Sequence, residues 1–282
     1  MKKSDPHFEN GQRLPDAAGH QFAPTNRNKV KALASGFTLI DVLVSIAVIA
    51  VLIGLLIPSL SSVNETARRV ICQSNVRQIG IGLIHYANDY KGQLPVSRYI
   101  ASANNPARSS SSPEKMVTVR VGIAESENAM SNWDGLGLLF ATDYIPAPKI
   151  FYCPSHRGDH PYSAYATGWG GSSEQEIVAN FHFRGEGPTT VGRTVNGLRP
   201  TTQSLWNIDP AQSSLIADGM QVKSDYNHKV GVNFFRADLS VHWFADPNSR
   251  LQELLPDVKN NATPQTVREA WSFLDASVNV DR

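Results

Sequence analysis

The chain has 282 residues, 41% apolar and 18% charged, an ordinary globular composition that excludes a disordered, collagenous or coiled-coil protein. Twenty-six lysines and arginines against 25 acids leave a formal charge of +1, too balanced for a nucleic-acid binder that works by phosphate neutralisation. Two cysteines cannot make a disulfide-dense scaffold, and neither lies in a Cys-x-x-Cys pair of the zinc or thioredoxin kind.

The charge is unevenly placed. Residues 1–36 are net +3 and the remainder net −2, so the basic excess precedes the most apolar stretch, an arrangement that holds an N-terminus on the cytoplasmic side. From Phe37 to Ile57 the sequence has 21 residues with one ionisable side chain, Asp41. As a helix it would be about 31 Å long, matching the roughly 30 Å hydrocarbon core of a bilayer. Apolar side chains occupy its whole circumference, where a soluble domain's helix keeps a polar face. A secretory signal peptide has a shorter apolar run that ends in a small-x-small site. Here the small residues Ala34-Ser35-Gly36 come before the run, and Pro58 leads into a further helical pattern.

Gly36-Phe37-Thr38-Leu39-Ile40-Asp41, followed by an unbroken apolar helix with Pro58, resembles the N-terminus of type IV prepilins and type II secretion pseudopilins. The resemblance implies cleavage by a prepilin peptidase between Gly36 and Phe37, methylation of the new N-terminal Phe37, and a mature chain of 246 residues in which Pro58 is a helix-kinking proline. It further implies that Asp41 takes the place of the family's usual Glu, which pairs with the N-terminal ammonium of a neighbouring subunit during assembly. The charge is kept on a side chain one methylene shorter. A carboxylate inside a membrane helix is costly and has a partner. The leader is long for the family.

Beyond Pro58 the pattern becomes striped. Cys72, Val76, Ile79, Leu83, Tyr86 and Tyr90 follow at spacings of four, three, four, three and four, which marks one helix face that must pack on something. Arg68, Arg69, Gln73, Arg77 and Gln78 form the opposite, solvated face. Gly92 supplies a C-terminal stop and Pro95 follows it. One helix is therefore expected from Phe37 to Lys91. Cys72, Asn75, Gln78, Ile79, Gly80, Leu83 and Tyr86 match the Cys-x-x-Asn-x-x-Gln-Ile-Gly-x-x-Leu-x-x-Tyr pattern of a large bacterial group of prepilin-like proteins, to which this stretch is similar.

Residues 100–131 shift to Ser, Ala, Asn and Pro and read as a loop or insertion, with one strand-like piece at Val117–Val121. Trp133 to Ile145 reads as a short helix. Beyond residue 160, short apolar or aromatic runs divided by Gly, Pro, Asn and Asp predict an antiparallel sheet: YSAYATGWGG, IVANFHF, SLWNI, SSLIADGM and VGVNFFRADLSVHWF. The clearest hairpin joins Val230–Arg236 to Ser240–Phe244 through Ala237-Asp238-Leu239. Two short helices close the chain, Ser249–Leu255 and Gln265–Asp275, the second with Thr263 as N-cap and Pro264 in first position. His228, nine residues and Asp238 resemble the His-x9-Asp-Gly motif of the same prepilin-like group, with Leu239 in place of its Gly. Gly there would supply positive φ at little cost, so a turn of another type is expected. Ser214–Gly219 and Cys153-Pro154-Ser155 also resemble segments of the group.

Candidate chemistry is sparse. His228, Asp238 and His242 lie near one hairpin, where lone histidines are more often turn or surface residues than metal ligands. Asp218, Asp225 and Asp238 are candidate hard-oxygen ligands for calcium, as in the heads of some pseudopilins. Cys153, His156 and Asp159 fall within seven residues, too close together for a nucleophile and its base. No hydrolase, metalloprotease or nucleotide motif is present. With both thiols on the oxidising side of the membrane, Cys72 and Cys153 are either bridged or buried as separate small hydrophobes.

The expected architecture is α+β: a leader over 1–36, a transmembrane helix over 37–60, its amphipathic continuation over 61–95, and an exported pilin-like head over 96–282 with an antiparallel sheet. The expected protein is not an enzyme. It is a single-pass inner-membrane subunit with a cytoplasmic N-terminus and a periplasmic or extracellular head, whose partners are the prepilin peptidase, membrane lipid and other subunits, with no nucleic acid. Ser45, Ala47, Ala50 and Gly54 permit close helix approach during assembly into a pilus or pseudopilus. The alternative is an anchored envelope-binding protein whose Trp169, Trp206 and Trp243 serve as sugar platforms.

Overall fold

The structure is a computed structural model that describes residues 36–100, 112–122, 132–170, 175–188 and 202–277. Residues 1–35 of the leader read at 1–36 and most of the insertion read at 100–131 lie outside these residues. The side chain of Pro58 does too, and with it the expected kink. The chain forms two compact units, Met1–Ile53 and Gly54–Arg282.

The spine is one helix, α1, Leu39–Asp89. It is the one described helix long and apolar enough to cross a membrane. In the first unit every described side chain is exposed, from Phe37 through Ile53, as expected for a surface built to face lipid or other helices. Its start is a reciprocal cap. The Thr38 backbone N–H donates to Asp41 Oδ2 at 3.0 Å, and the Asp41 N–H donates to Thr38 Oγ1 at 3.3 Å.

In the second unit α1 buries the predicted stripe. Cys72, Val76, Ile79, Leu83 and Tyr86 enter the main core, whereas Tyr90 is exposed and stacks on Tyr86 with ring centroids 4.2 Å apart. The helix ends where Lys91 and Gly92 both turn left-handed, at φ 55° and 82°, and the Gly92 N–H reaches back to the Ala87 carbonyl at 2.7 Å. Gly80 lets α1 approach the sheet closely: a Cβ there would lie 2.3 Å from the Phe235 ring.

The head carries an antiparallel four-stranded sheet of order β3-β4-β5-β6: Phe181–Phe183, Ser214–Asp218, Gly231–Arg236 and Val241–Ala245. A two-stranded piece pairs β1, Thr118–Arg120, with β2, Ile177–Val178. Alternation along the strands sorts the side chains into two layers. Phe183, Ile216 and Phe235 share the face that meets α1. Ala217, Val232 and Phe234 face the other way, against α4, Arg250–Leu254, and α5, Pro264–Ser277. α5 begins as predicted, with the Thr266 N–H donating to Thr263 Oγ1 at 3.3 Å. The expectation of an α+β fold with a helical spine and a sheet head therefore holds.

Local expectations fail in instructive places. Within YSAYATGWGG a short helix forms, α3, Tyr162–Tyr165, whose Tyr162 ring packs edge-on against Tyr152, and SLWNI makes a 3-10 turn at Leu205–Asn207 with Trp206 exposed. The helix read between Trp133 and Ile145 contracts to α2, Gly137–Ala141. The hairpin turn was expected to change type without glycine. Instead Leu239 itself adopts φ 72°, with its N–H donating to the Arg236 carbonyl at 3.0 Å. A leucine thus occupies the left-handed position that favours glycine.

Candidate functional site

Distant segments converge behind the sheet face that meets α1. Cys72 projects from the buried stripe of α1, and Cys153 follows the short 3-10 turn Pro148–Phe151. Asp218 ends β4 on the helix-facing side, and His228 lies in the turn that leads into β5. One ligand-type atom from each lies within 4.8 Å of the other three. All are buried, at 0%, 5%, 0% and 1% exposure in that order.

The contacts are specific. The Cys72 thiol donates to Asp218 Oδ1 at 2.9 Å. Cys153 Sγ lies 3.5 Å from His228 Nε2, which is 3.8 Å from Asp218 Oδ2. Asp218 Oδ2 accepts from the Asn233 backbone at 2.6 Å and from its side chain at 3.3 Å. On the far side of the ring, His228 Nδ1 meets Glu65 Oε1 at 2.8 Å, and Ser155 Oγ donates to both Glu65 oxygens at 3.0 and 3.1 Å. Glu65 and Cys72 are seven residues apart on α1, hence on one face. The Cys153 segment is held by Asn75, which donates to the Tyr152 carbonyl at 3.1 Å, and by Asn180 Oδ1, which accepts the Cys153 N–H at 3.2 Å.

Burial and neighbouring charge set the protonation. Burial pushes the Cys72 thiol well up, and the neighbouring Cys153 and Asp218 push the same way. Burial opposes ionisation of Cys153 too, but hydrogen bonds from Cys72 and His228 outweigh it and hold this thiol below its ordinary value. Burial likewise opposes a charged His228, yet Cys153, Asp218 and Glu65 lift it to about 9. Burial raises Asp218, against the pull of His228. Without another cation, the imidazolium is the positive charge among these acidic groups.

The residues singled out from sequence separate here. The sulfurs of Cys72 and Cys153 come together as free thiols. His228 joins them, but its motif partner Asp238 is an exposed turn residue that accepts from the Ser240 N–H at 3.0 Å. His242 shares that Ser240, at 2.7 Å, rather than approaching His228. The three calcium candidates diverge, since Asp218 sits among sulfurs, Asp225 caps the Val222 N–H at 3.3 Å and Asp238 is in the hairpin turn. His156 turns from Cys153 to Asn227, at 2.8 Å. Of the tryptophans, Trp169 is buried against Phe151, Trp243 lies under Arg69 with 4.4 Å from guanidinium carbon to ring, and Trp206 is exposed. Gly36, Phe37 and Asp41 stand together at the start of α1. Glu65 and Asn233 were not found from the sequence. The seven-residue spacing of Glu65 from Cys72 was the one local signal.

A family model described as a protein of unknown function, DUF1559, matches residues 61–221, a stretch that includes Glu65, Cys72, Cys153 and Asp218. No curated protein and no solved structure matches the chain.

Proposed function

Since the chain belongs to the DUF1559 family of unknown function, we propose that it is a membrane-anchored, pilin-like structural subunit that assembles through its N-terminal helix. The observation that carries this reading is α1 itself: 51 continuous helical residues, apolar and fully exposed at the start, then clamped into a head along one stripe. Beyond the membrane-type segment the helix keeps further exposed apolar side chains, Val63, Val70 and Ile81. A solitary anchor has no use for them, whereas a bundle of spines would cover them.

In this reading a prepilin peptidase cuts between Gly36 and Phe37, the inner membrane stores the subunit with its head outside, and other subunits are its partners in a pilus or type II secretion-like pseudopilus. The protein itself performs no catalysis. Asp41 has two roles to separate, because it caps α1 through Thr38 and also supplies the charge for a neighbour's Phe37 ammonium. Asp41→Asn keeps an acceptor oxygen for the cap and removes the charge. Filament incorporation should fall at least tenfold in Asp41→Asn and persist in Asp41→Glu. Normal incorporation of Asp41→Asn would refute the assembly role. Intact-mass analysis of membrane-extracted protein should show loss of residues 1–36 and gain of one methyl group.

One observation favours a second reading, an anchored envelope-binding protein: Trp206 is 62% exposed, its ring laid over Gly92 where a sugar could stack. Such a protein would tolerate Asp41→Asn and lose ligand on Trp206→Ala.

A further inference from the structure

We propose that Cys72, Cys153, Asp218 and His228 form a structural zinc site that pins the spine helix to the head. The argument is geometric. With Zn–S near 2.3 Å and Zn–N or Zn–O near 2.0–2.1 Å, ligand atoms at the corners of a tetrahedron stand about 3.3–3.8 Å apart. Here Cys153 Sγ to His228 Nε2 is 3.5 Å and Asp218 Oδ2 to His228 Nε2 is 3.8 Å, and no pair of the four exceeds 4.8 Å. The shortest pair, Cys72 Sγ to Asp218 Oδ1 at 2.9 Å, is a hydrogen bond whose proton the metal would replace.

The supporting shell fits as well. His228 presents Nε2 to the centre because Glu65 holds Nδ1 at 2.8 Å, the carboxylate–histidine–metal arrangement that orients a ligand and strengthens it. Asn233 anchors Asp218 Oδ2, and Oδ1, which here accepts the Cys72 thiol proton, becomes available to the metal once that proton leaves. Two sulfurs, an imidazole and one carboxylate select zinc over calcium, whose ligands are all oxygen. The ligands are shielded from solvent and all four positions are protein-supplied, which describes a closed structural centre with no open position for catalysis. Each cysteine binds as thiolate, and its proton goes to solvent. A divalent cation would give these four buried groups one common partner in place of their present hydrogen bonds.

The site joins α1, through Cys72 and Glu65, to three separate head segments. It therefore acts where the helix leaves the head, independently of whether the helix polymerises. Elemental analysis tests it on the full chain, purified in detergent without chelator or histidine tag. About one zinc per chain is expected, falling below a tenth in Cys72→Ser and Cys153→Ser. Glu65→Gln should bind the same amount at saturation with affinity reduced about 10–100-fold. Should the serine variants fail to fold, cobalt exchange into the unaltered chain decides the matter, because tetrahedral thiolate ligation produces intense visible and near-ultraviolet bands. Three results would overturn the proposal: no zinc retained after equimolar addition, no charge-transfer band with cobalt, or a Cys72–Cys153 disulfide, read as a 2 Da mass loss with no free thiol after denaturation.

Discussion

Gly80 sits on the helix face pressed against β5, and a methyl group added to it would lie 2.3 Å from Phe235 Cδ2 and Cε2 and 2.6 Å from Cζ. Phe235 is fully buried in a central strand, paired to Ile216 on one side and Val241 on the other, so the ring has nowhere to retreat. Overpacking of this kind costs about 1–3 kcal/mol. Against it, Gly→Ala within a helix contributes about 1 kcal/mol of stabilisation. The net for Gly80→Ala is a destabilisation of order 1 kcal/mol, about 2–4 °C in Tm for a unit of this size. The sign should depend on the ring. Phe235→Val removes the three atoms that the new methyl meets, at its own cost in buried area and cavity. In that background Gly80→Ala should become stabilising by up to about 1 kcal/mol, a coupling of roughly 1–3 kcal/mol in the double-mutant cycle. Thermal unfolding of the four proteins in detergent, followed by tryptophan fluorescence, measures it. Equal effects of Gly80→Ala in both backgrounds would show that the helix–sheet approach is not what requires glycine.

Leu239→Gly should stabilise the head by about 0.5–1 kcal/mol, because a left-handed leucine costs about 1–2 kcal/mol and glycine's extra freedom when unfolded offsets only part of that; an unchanged or lower Tm would contradict the strain. Burial depresses His182 to about 4 from an ordinary 6.5, with the Pro113 carbonyl opposing the shift. The unfolded chain therefore takes up a proton that the folded one refuses, and stability is lost as pH falls from 6.5 to 4, by about 3 kcal/mol. Asp225, raised by burial to about 6, has the opposite sign and stabilises as pH falls from 6 toward 3.8. Denaturant titrations across that range should show a shallower acid loss in His182→Gln than in wild type, and a steeper one in Asp225→Asn.

The spine was the most legible part of the chain. A helical period survives any tertiary context when it runs this long, and the stripe Cys72 to Tyr86 marked the buried face without reference to what it packs on. Caps were equally local: Thr263 and Gly92 act within one turn of their own positions. The short aromatic runs were ambiguous because four or five apolar residues satisfy a strand, a turn or a single helical turn alike. Phe181–Phe183 gained a strand neighbour in β4, and Tyr162–Tyr165 did not join the sheet.

Of the motif residues, the sequence pattern named Cys72, Asn75, Gly80, Cys153 and His228 and offered a Cys72–Cys153 bridge as one alternative, but it placed neither His228 nor an acid beside the two thiols. Asn75 proves to hold the backbone beside Cys153, and Gly80 makes room for Phe235. Cys72, Cys153, Asp218 and His228 meet because β4 alternation turns Asp218 toward α1 and the turn before β5 delivers His228 beside it. Glu65 joins them from about two helical turns further toward the membrane-type segment. Amphipathic period, apolar length and capping depend on neighbours a few residues away, so the amino-acid order alone determines them. Which buried polar atoms share a centre depends on register and close packing between segments up to 163 positions apart, as Glu65 and His228 are, and only the folded chain brings those into contact.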